Sequence, residues 1–338
     1  MGLWAPPRYR FTEIVIAIES DRIQQIVEMT HTPKKNFRAS MSARRVYSRW
    51  SEQAIHILLF ICGALSVVTT VGIVGVLVWE SALFFREVSL LDFLTDTQWT
   101  PLFVDKHFGI APLVCGTLLT AAIAACFALP FGLMIAVYLS EYASDRRRKA
   151  VKPILEILAG VPTIVYGYFA LLYVTPFLQT IFPSLEGFNA LSPGIVIGIM
   201  ILPMIASLSE DALFAVPVSL KEGAYALGSN RLQMVLGVLL PSAFGGITSA
   251  VILALSRAVG ETMIVAIAAG QQPVLSLDPM RSVETMTAYI VQVSLGDTPH
   301  GTLEYHTIFA VGLALFVLTV FLNGMSLILR KRYDKGYV

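Results

Sequence analysis

Arg257 and Glu261 are opposite charges that lie four residues apart within a long apolar stretch of the sequence. Four residues are slightly more than one helical turn, so a continuous helix would place both side chains on one face. A guanidinium is a planar fork of donors that binds an oxyanion through two parallel hydrogen bonds, and a neighbouring carboxylate would hold it or temper its attraction. The pair therefore predicts either a route for an anion or a structural ion pair that fixes helix register.

Hydroxyl groups add further candidates for oxyanion binding. Thr262 belongs to the same stretch, and a second apolar stretch carries Thr163 and Tyr166. Each hydroxyl could donate to an anionic oxygen. Gly160 and Gly167 flank that second pair, and small residues of this kind also explain close packing between membrane helices. Both interpretations stay open at this point.

The motifs of common enzymes are missing from the sequence. It contains no Gly-Lys dipeptide, so it has no phosphate-binding GxxxxGK[ST] loop, and it has no GxSxG or HExxH motif. The three cysteines lie in apolar stretches without CxxC spacing, and the net charge of +1 gives no overall basic bias toward nucleic acid. We expect no catalytic residue, no metal site, no cofactor and no nucleic-acid partner.

The composition indicates the elements that must position these residues. The 338 residues are 56% hydrophobic and 14% charged, whereas soluble domains carry about 25% charged residues. A membrane-spanning helix needs about 20 apolar residues, because lipid offers the backbone no hydrogen-bond partners. The stretches that qualify are residues 54–79, 113–139, 154–178, 193–208, 245–269 and 307–329. The sequence predicts an all-α polytopic membrane protein with about six transmembrane helices.

Basic residues predict the orientation, because cytoplasmic connections retain Lys and Arg. They are concentrated in residues 44–49, 146–152, 221–231 and 330–335, whereas the opposite connections carry only Arg86, Lys106 and Arg281. Both termini are therefore expected in the cytoplasm. The connections 80–112 and 271–306 are expected outside, as solvated loops or as contacts for a partner protein. Glu210 and Asp211 are expected to be solvated on the cytoplasmic side.

The predicted organisation has three parts. Residues 1–53 form a cytoplasmic N-terminal segment, residues 54–330 form the transmembrane domain, and residues 331–338 form a cytoplasmic tail. Two readings of residues 1–40 remain open. Either translation begins at Met41, or these residues are a genuine cytoplasmic extension.

The cytoplasmic segment 220–241 carries a spaced motif. Glu222, Gly223 and Ala224 are followed by Gly228 and, after a further spacer, by Val-Leu-Leu-Pro ending at Pro241. This resembles the EAA signature of ABC importer permeases, with Gly in place of the first Ala and Val in place of Ile. We expect a short helix whose small residues face a partner, and Gly228 should end it in a left-handed conformation. The resemblance implies docking on a separate ATP-binding subunit, with Glu222 at the contact.

Two runs of residues sharpen the resemblance. The run from Arg257 to Met263, Arg-Ala-Val-Gly-Glu-Thr-Met, and the run from Pro153 to Gly167 are similar to phosphate ABC transporter permeases of the PstC type. That family implies a type I permease fold in the bacterial cytoplasmic (inner) membrane and transport of inorganic phosphate. It also implies a PstA-type sister permease, two ATP-binding subunits and an extracytoplasmic phosphate-binding protein as partners, with membrane lipid around the spans.

Other functions remain as alternatives. Another tetrahedral oxyanion, sulfate or molybdate, would suit the same donors. A membrane enzyme or a signalling scaffold is an alternative from a different class, and it predicts no stable association with an ATPase.

Overall fold

The structure, a computed structural model, describes the backbone of residues 35–333 and most side chains from residue 52 onward. Most of the segment 1–40, and the end of the tail 331–338, lie outside the described residues. The chain divides into two compact units, residues 1–73 and 74–338, and each is considered by itself. In the first unit the described side chains belong to one apolar helix whose large residues, such as Phe60 and Val68, are exposed.

The described residues form helices and contain no strand beyond two isolated bridges. The helices are α1 (Lys35–Glu87), α2 (Leu90–Thr95), α3 (Ala111–Val137), α4 (Asp145–Gly160), α5 (Thr163–Phe169), α6 (Thr175–Ile181), α7 (Leu191–Phe214), α8 (Val218–Ala226), α9 (Arg231–Met234), α10 (Leu240–Ser242), α11 (Phe244–Val259), α12 (Met263–Ala268), α13 (Met286–Leu295) and α14 (Leu303–Tyr333). Three π-helical turns interrupt them, Tyr138–Tyr142 after α3, Ala170–Val174 between α5 and α6, and Val235–Leu239 between α9 and α10.

Within residues 35–333, five helical segments are long and apolar enough to cross a membrane, and a bent pair of segments makes up to six. The five are Glu52–Glu87, Ala111–Tyr142, Thr163–Ile181, Leu191–Phe214 and Leu303–Met325. The pair is Arg231–Ser242 with Phe244–Val259, which meet at 71°. The prediction of an all-α chain with about six spans is confirmed.

The third and fifth predicted spans have wrong boundaries. Residues 154–178 are not one helix, because α4 ends before Pro162 and the spanning segment begins at Thr163. Proline disfavours a helical conformation at the preceding residue, and Val161 is extended, with φ −66 and ψ 132. Residues 245–269 are also broken, since α11 ends at Val259.

Helix α7 forms the centre of the second unit. Its side chains Ile197, Ile201 and Ile205 are fully buried, and α3 packs along it through small residues. A Cβ added to Gly198 would lie 3.0 Å from the Ala124 carbonyl oxygen, so the two backbones approach closely. The helix also continues past Glu210, which the short fourth predicted span had left open.

A separate aromatic cluster lies where α1, α13 and α14 meet the connection 88–110. Phe84, Phe93, Trp99 and Tyr289 are buried there, and the Trp99 and Tyr289 rings meet edge to face at 5.0 Å. Polar contacts flank the cluster: Lys106 forms an ion pair with Glu304, and His306 Nδ1 lies 2.9 Å from Glu80 Oε2. The expectation of a plain solvated connection is wrong for this part of 80–112, because much of it is packed.

Candidate functional site

Helix α8 carries the motif residues and is followed by a sharp turn. Gly228 has φ +84, the left-handed conformation that glycine adopts without a steric cost, so the prediction that it ends the helix is confirmed. Asn230 then caps α9, and its side chain and that of Gln233 accept each other's backbone N–H groups in a capping box. The motif therefore folds into two short helices joined at Gly228.

The small residues of α8 do not share one outward face. Glu222 and Gly223 are exposed, and a Cβ added at Gly223 would meet open space. Ala224, in contrast, is only 6% exposed and belongs to a buried apolar cluster with Leu213 and Met234. Successive helical residues lie about 100° apart, so adjacent positions 223 and 224 cannot face the same way. The one-face prediction is wrong for Ala224, which anchors the helix to its own chain.

The outer side of this region is an apolar surface. The side chains of Val218, Tyr225, Leu227 and Leu232 are all exposed, with Leu227 exposed to 89%. We call these four residues the docking surface, a name for the role that is proposed for them below. Pro241 lies just beyond, in α10, and the 71° bend to α11 follows at Ala243.

Ion pairs join α4 to the end of α7. Glu210 is completely buried, and its oxygens lie 2.8 Å from Arg148 Nε and 3.0 Å from Lys152 Nζ, at ion-pair distance but without hydrogen-bond angles. The prediction that Glu210 is solvated is therefore wrong, whereas Asp211 is exposed as expected. The sequence alone does not show that α4 packs beside Glu210 and supplies two cations.

The structure separates Arg257 from Glu261. Arg257 lies on the last turn of α11 and is exposed, whereas Glu261 follows the helix end and is only 8% exposed. Glu261 Oε1 accepts a hydrogen bond from the Ile264 N–H at 3.5 Å at the start of α12. Among the described residues the structure places no carboxylate within ion-pair distance of Arg257. The prediction that the two charges share one helical face is wrong, because α11 stops between them.

The candidate hydroxyl groups have different surroundings. Thr262 is half-buried, with its hydroxyl 3.3 Å from the Gly260 carbonyl oxygen, and Thr163 is half-buried at the first position of α5. The Tyr166 hydroxyl is buried and donates to the Leu158 carbonyl at 2.7 Å. Tyr166 therefore uses its only O–H within the chain, so in this structure it does not serve as an oxyanion donor.

Helices α5 and α12 bring the two predicted groups of residues together. A Cβ added at Gly167 would lie 2.8 Å from Ile267 Cδ1 and 3.1 Å from the Met263 carbonyl oxygen. The close-packing interpretation therefore holds for Gly167. Gly160 has open space at the same position. The helix that begins at Thr163 thus packs against the helix that follows Glu261 and Thr262.

A buried acidic residue next to this region was missed by sequence reasoning. Glu284 is 2% exposed, and its Oε1 has no hydrogen-bond partner among the described residues. Burial raises the pKa of Glu284 to about 8. The nearby Thr287 hydroxyl donates to the Glu261 carbonyl at 2.7 Å. The apolar run over α13 was the available signal: this helix has buried side chains, so the prediction of a plain solvated loop is wrong for this part of 271–306.

The spans and the short helix between two of them fit a membrane permease subunit, and the comparison of sequences identifies the chain as one. The family described as a binding-protein-dependent transport system inner membrane component matches residues 128–335. That match covers more than half of the chain, and the chain belongs to this family. It is an ABC importer permease subunit of the inner membrane, a transport component that crosses the membrane several times, and its family works with an ATPase and a substrate-binding protein.

Individual relatives narrow the comparison. The chain is 32% identical over 290 residues to a probable ABC transporter permease protein YqgH of Bacillus subtilis (strain 168), covering 83% of this chain and 92% of the relative. It is 34% identical over 261 residues to the phosphate transport system permease protein PstC of Mesorhizobium japonicum, covering 72% and 79% respectively. The resemblance to PstC-type permeases is confirmed.

Solved structures support the fold. A chain of the inward-facing MetNI methionine ABC transporter superposes with a TM-score of 0.50 at 20% identity, covering 67% of this chain and 94% of that chain. A chain of a bacterial alginate ABC transporter gives a TM-score of 0.52 at 18% identity, covering 73% and 86%. At these identities the likeness shows the ABC importer permease fold alone.

Proposed function

We propose that this chain is the PstC-type permease subunit of an ATP-driven phosphate importer, forming half of the translocation route beside a PstA-type sister subunit. The observation that carries the choice of phosphate is the identity of 34% to a phosphate transport permease over most of the chain. The names of the two relatives compared above mention neither sulfate nor molybdate.

Arg257 is the residue proposed to meet the anion. Its guanidinium is exposed at the end of α11, where the helix breaks, and the described residues offer it no carboxylate. A cation in a membrane span is costly, about 2.5 to 3.5 kcal/mol on insertion scales, so it calls for a ligand, a water-filled route or a partner charge. A fork of donors facing an aqueous route would bind a tetrahedral oxyanion through two oxygens. Thr262 and Thr163 are further candidates on the same route.

ATP hydrolysis is proposed to take place in separate ATP-binding subunits, two per transporter. The permease domain is assigned to residues 54–330, with 220–241 as its coupling segment. The docking surface and Glu222 would contact the ATPase, because they are exposed beside the anchored Ala224. A helix held on one side and apolar on the other suits transmission of movement from a partner.

Uptake of labelled phosphate into vesicles that carry the whole complex tests this function. We expect uptake that requires ATP and the binding protein, with little competition from sulfate or molybdate. If sulfate or molybdate competes at concentrations similar to those of phosphate, the assignment of phosphate as the substrate is wrong. A purified chain that never associates with an ATP-binding subunit would overturn the importer function itself.

A further inference from the structure

Two residues of the coupling region contact the same π-helical turn, Tyr138–Tyr142. Lys221, on α8, forms an ion pair with Glu141, and both side chains are mostly buried. Arg231, on α9, lies with its guanidinium carbon 5.3 Å from the centre of the Tyr142 ring, within range of a cation–π contact. The helices before and after Gly228, α8 and α9, thus both contact the π-helical turn that follows α3.

The π-helical turn leads directly into α4. Its last residue is followed by Ala143 and Ser144, and α4 begins at Asp145. A π-helical turn is a local widening of the helix that occurs often at functional sites. The ion pair from Lys221 of α8 therefore meets the helix at an irregular turn. That turn comes immediately before α4, a helix without buried residues of its own.

Helix α4 is also held by α7. Arg148 and Lys152 both reach the buried carboxylate of Glu210, and the Arg148 guanidinium carbon also lies 3.9 Å from the centre of the Phe214 ring. Glu210 is near the end of α7, shortly before α8 begins. Helix α4 is consequently held by the end of α7, the element that precedes α8 in the sequence.

The far end of α4 leads to the candidate substrate residues. The hydrogen bond from the Tyr166 hydroxyl to the Leu158 carbonyl joins α4 to α5 across the break at Pro162. Helix α5 begins with Thr163, and its Gly167 packs against Met263 and Ile267 of α12. A displacement of α4 would therefore also displace α12, the helix that follows Glu261 and Thr262.

We propose that Lys221 and Glu141 are positioning residues that carry movement of α8 through the π-helical turn to α4, while Glu210 holds α4 through Arg148 and Lys152. This inference rests on the proposed function, because the movement originates in a docked ATPase. Opposite charges that are mostly removed from water resist separation strongly, so the pair moves as one unit. The role differs from docking, since neither side chain belongs to the docking surface.

Charge reversal in the assembled complex tests the inference. The variants are Lys221→Glu, Glu141→Lys and the double variant Lys221→Glu/Glu141→Lys, each reconstituted with the ATP-binding and phosphate-binding subunits. The readout is phosphate transported per ATP hydrolysed, since a merely structural pair would alter the amount of complex and not this ratio. We expect each single variant to lower the ratio at least about fivefold and the double variant to recover most of it. Single variants with the normal ratio, or a double variant no better than the singles, would overturn the inference.

A neutral pair covers the case in which single reversals fail to assemble. The double variant Lys221→Met/Glu141→Gln removes the ion pair without leaving a buried charge alone. An assembled complex with a lowered transport ratio supports the inference, and an unchanged ratio or a failure to assemble contradicts it. Failure of the proposed function is distinguishable, because the unmodified chain would then not bind the ATP-binding subunit or transport phosphate.

Discussion

The hydroxyl of Thr287 donates a hydrogen bond of 2.7 Å to the main-chain carbonyl of Glu261, in the break between α11 and α12. Both residues are buried, so this carbonyl has no access to water as an alternative donor. The bond joins α13 to the break that separates Arg257 from Glu261. A buried acceptor that loses its donor costs about 1 to 3 kcal/mol.

Replacement of this donor should therefore loosen the break. Thr287→Val keeps the shape of the side chain and removes the O–H, so we expect a loss of stability of about 1 to 3 kcal/mol, seen as earlier thermal unfolding in detergent. The control is Thr180→Val, since Thr180 is exposed and its hydroxyl bonds only to its own helix. Equal unfolding temperatures for the two variants would show that the Thr287 bond does not stabilise the break.

The two glycines of the coupling segment should respond oppositely to alanine. Gly228→Ala forces a side chain into the left-handed conformation, which costs roughly 1 kcal/mol. Gly223→Ala meets open space within a helix and should stabilise it by up to about 1 kcal/mol. Hydrogen exchange of the amides in α8 measures both effects. Faster exchange in Gly223→Ala than in the unmodified chain would contradict the helical assignment.

Much of this architecture was predictable from the sequence, and the exceptions have physical causes. The length of an apolar stretch identifies a span, because the backbone of every segment in lipid must satisfy its own hydrogen bonds as a helix. The Gly228 turn was predictable because glycine has a local conformational preference. The burial of Glu210 and the orientation of Ala224 were not, because they depend on residues of other helices. Pro162 and Gly260 are local signals of a helix break. A prediction of spans from apolar length alone does not detect the breaks beside these two residues.

Arg257→Gln should abolish phosphate uptake and leave membrane insertion and complex assembly intact. The amide keeps a polar group at the site but removes the charge and one arm of the fork. Arg257→Lys keeps the charge without the fork and should retain partial uptake. Labelled phosphate uptake and co-purification of the other subunits provide the two measurements. If Arg257→Gln prevents assembly, the residue fixes helix register with another subunit and does not line the route.

Glu222→Lys should uncouple ATP hydrolysis from transport. Glu222 is exposed on α8 beside the docking surface, so reversal of its charge weakens the contact with the ATP-binding subunit without disturbing the core. We expect at least about a tenfold loss of uptake, since an interfacial charge can contribute more than 1.4 kcal/mol. Asp297→Lys is the matched control, because Asp297 is an exposed carboxylate in the connection between α13 and α14, outside the coupling elements. Uptake at the unmodified level in Glu222→Lys would remove this residue from the coupling step.

Glu284 should make the stability of the protein depend on pH. Its pKa rises from 4.5 to about 8 through burial, so the folded protein retains a proton that the unfolded chain releases. Because the folded pKa is the higher one, this contribution is complete below about 4.5 and is lost as the pH rises through about 8. Glu284→Gln mimics the protonated acid at every pH.

Thermal unfolding of the two proteins in detergent measures this effect. The unfolding temperature of the unmodified protein should fall relative to that of Glu284→Gln between roughly pH 5 and pH 8, and the difference should level off above that range. Tyr289 is the ionisable neighbour that senses the Glu284 charge, and it stays neutral over this range because its own pKa is raised by burial. Glu156→Gln, at an exposed position, should follow the unmodified protein at each pH. Parallel curves for the unmodified protein and Glu284→Gln would mean that the Glu284 carboxyl ionises in the folded protein as readily as in water.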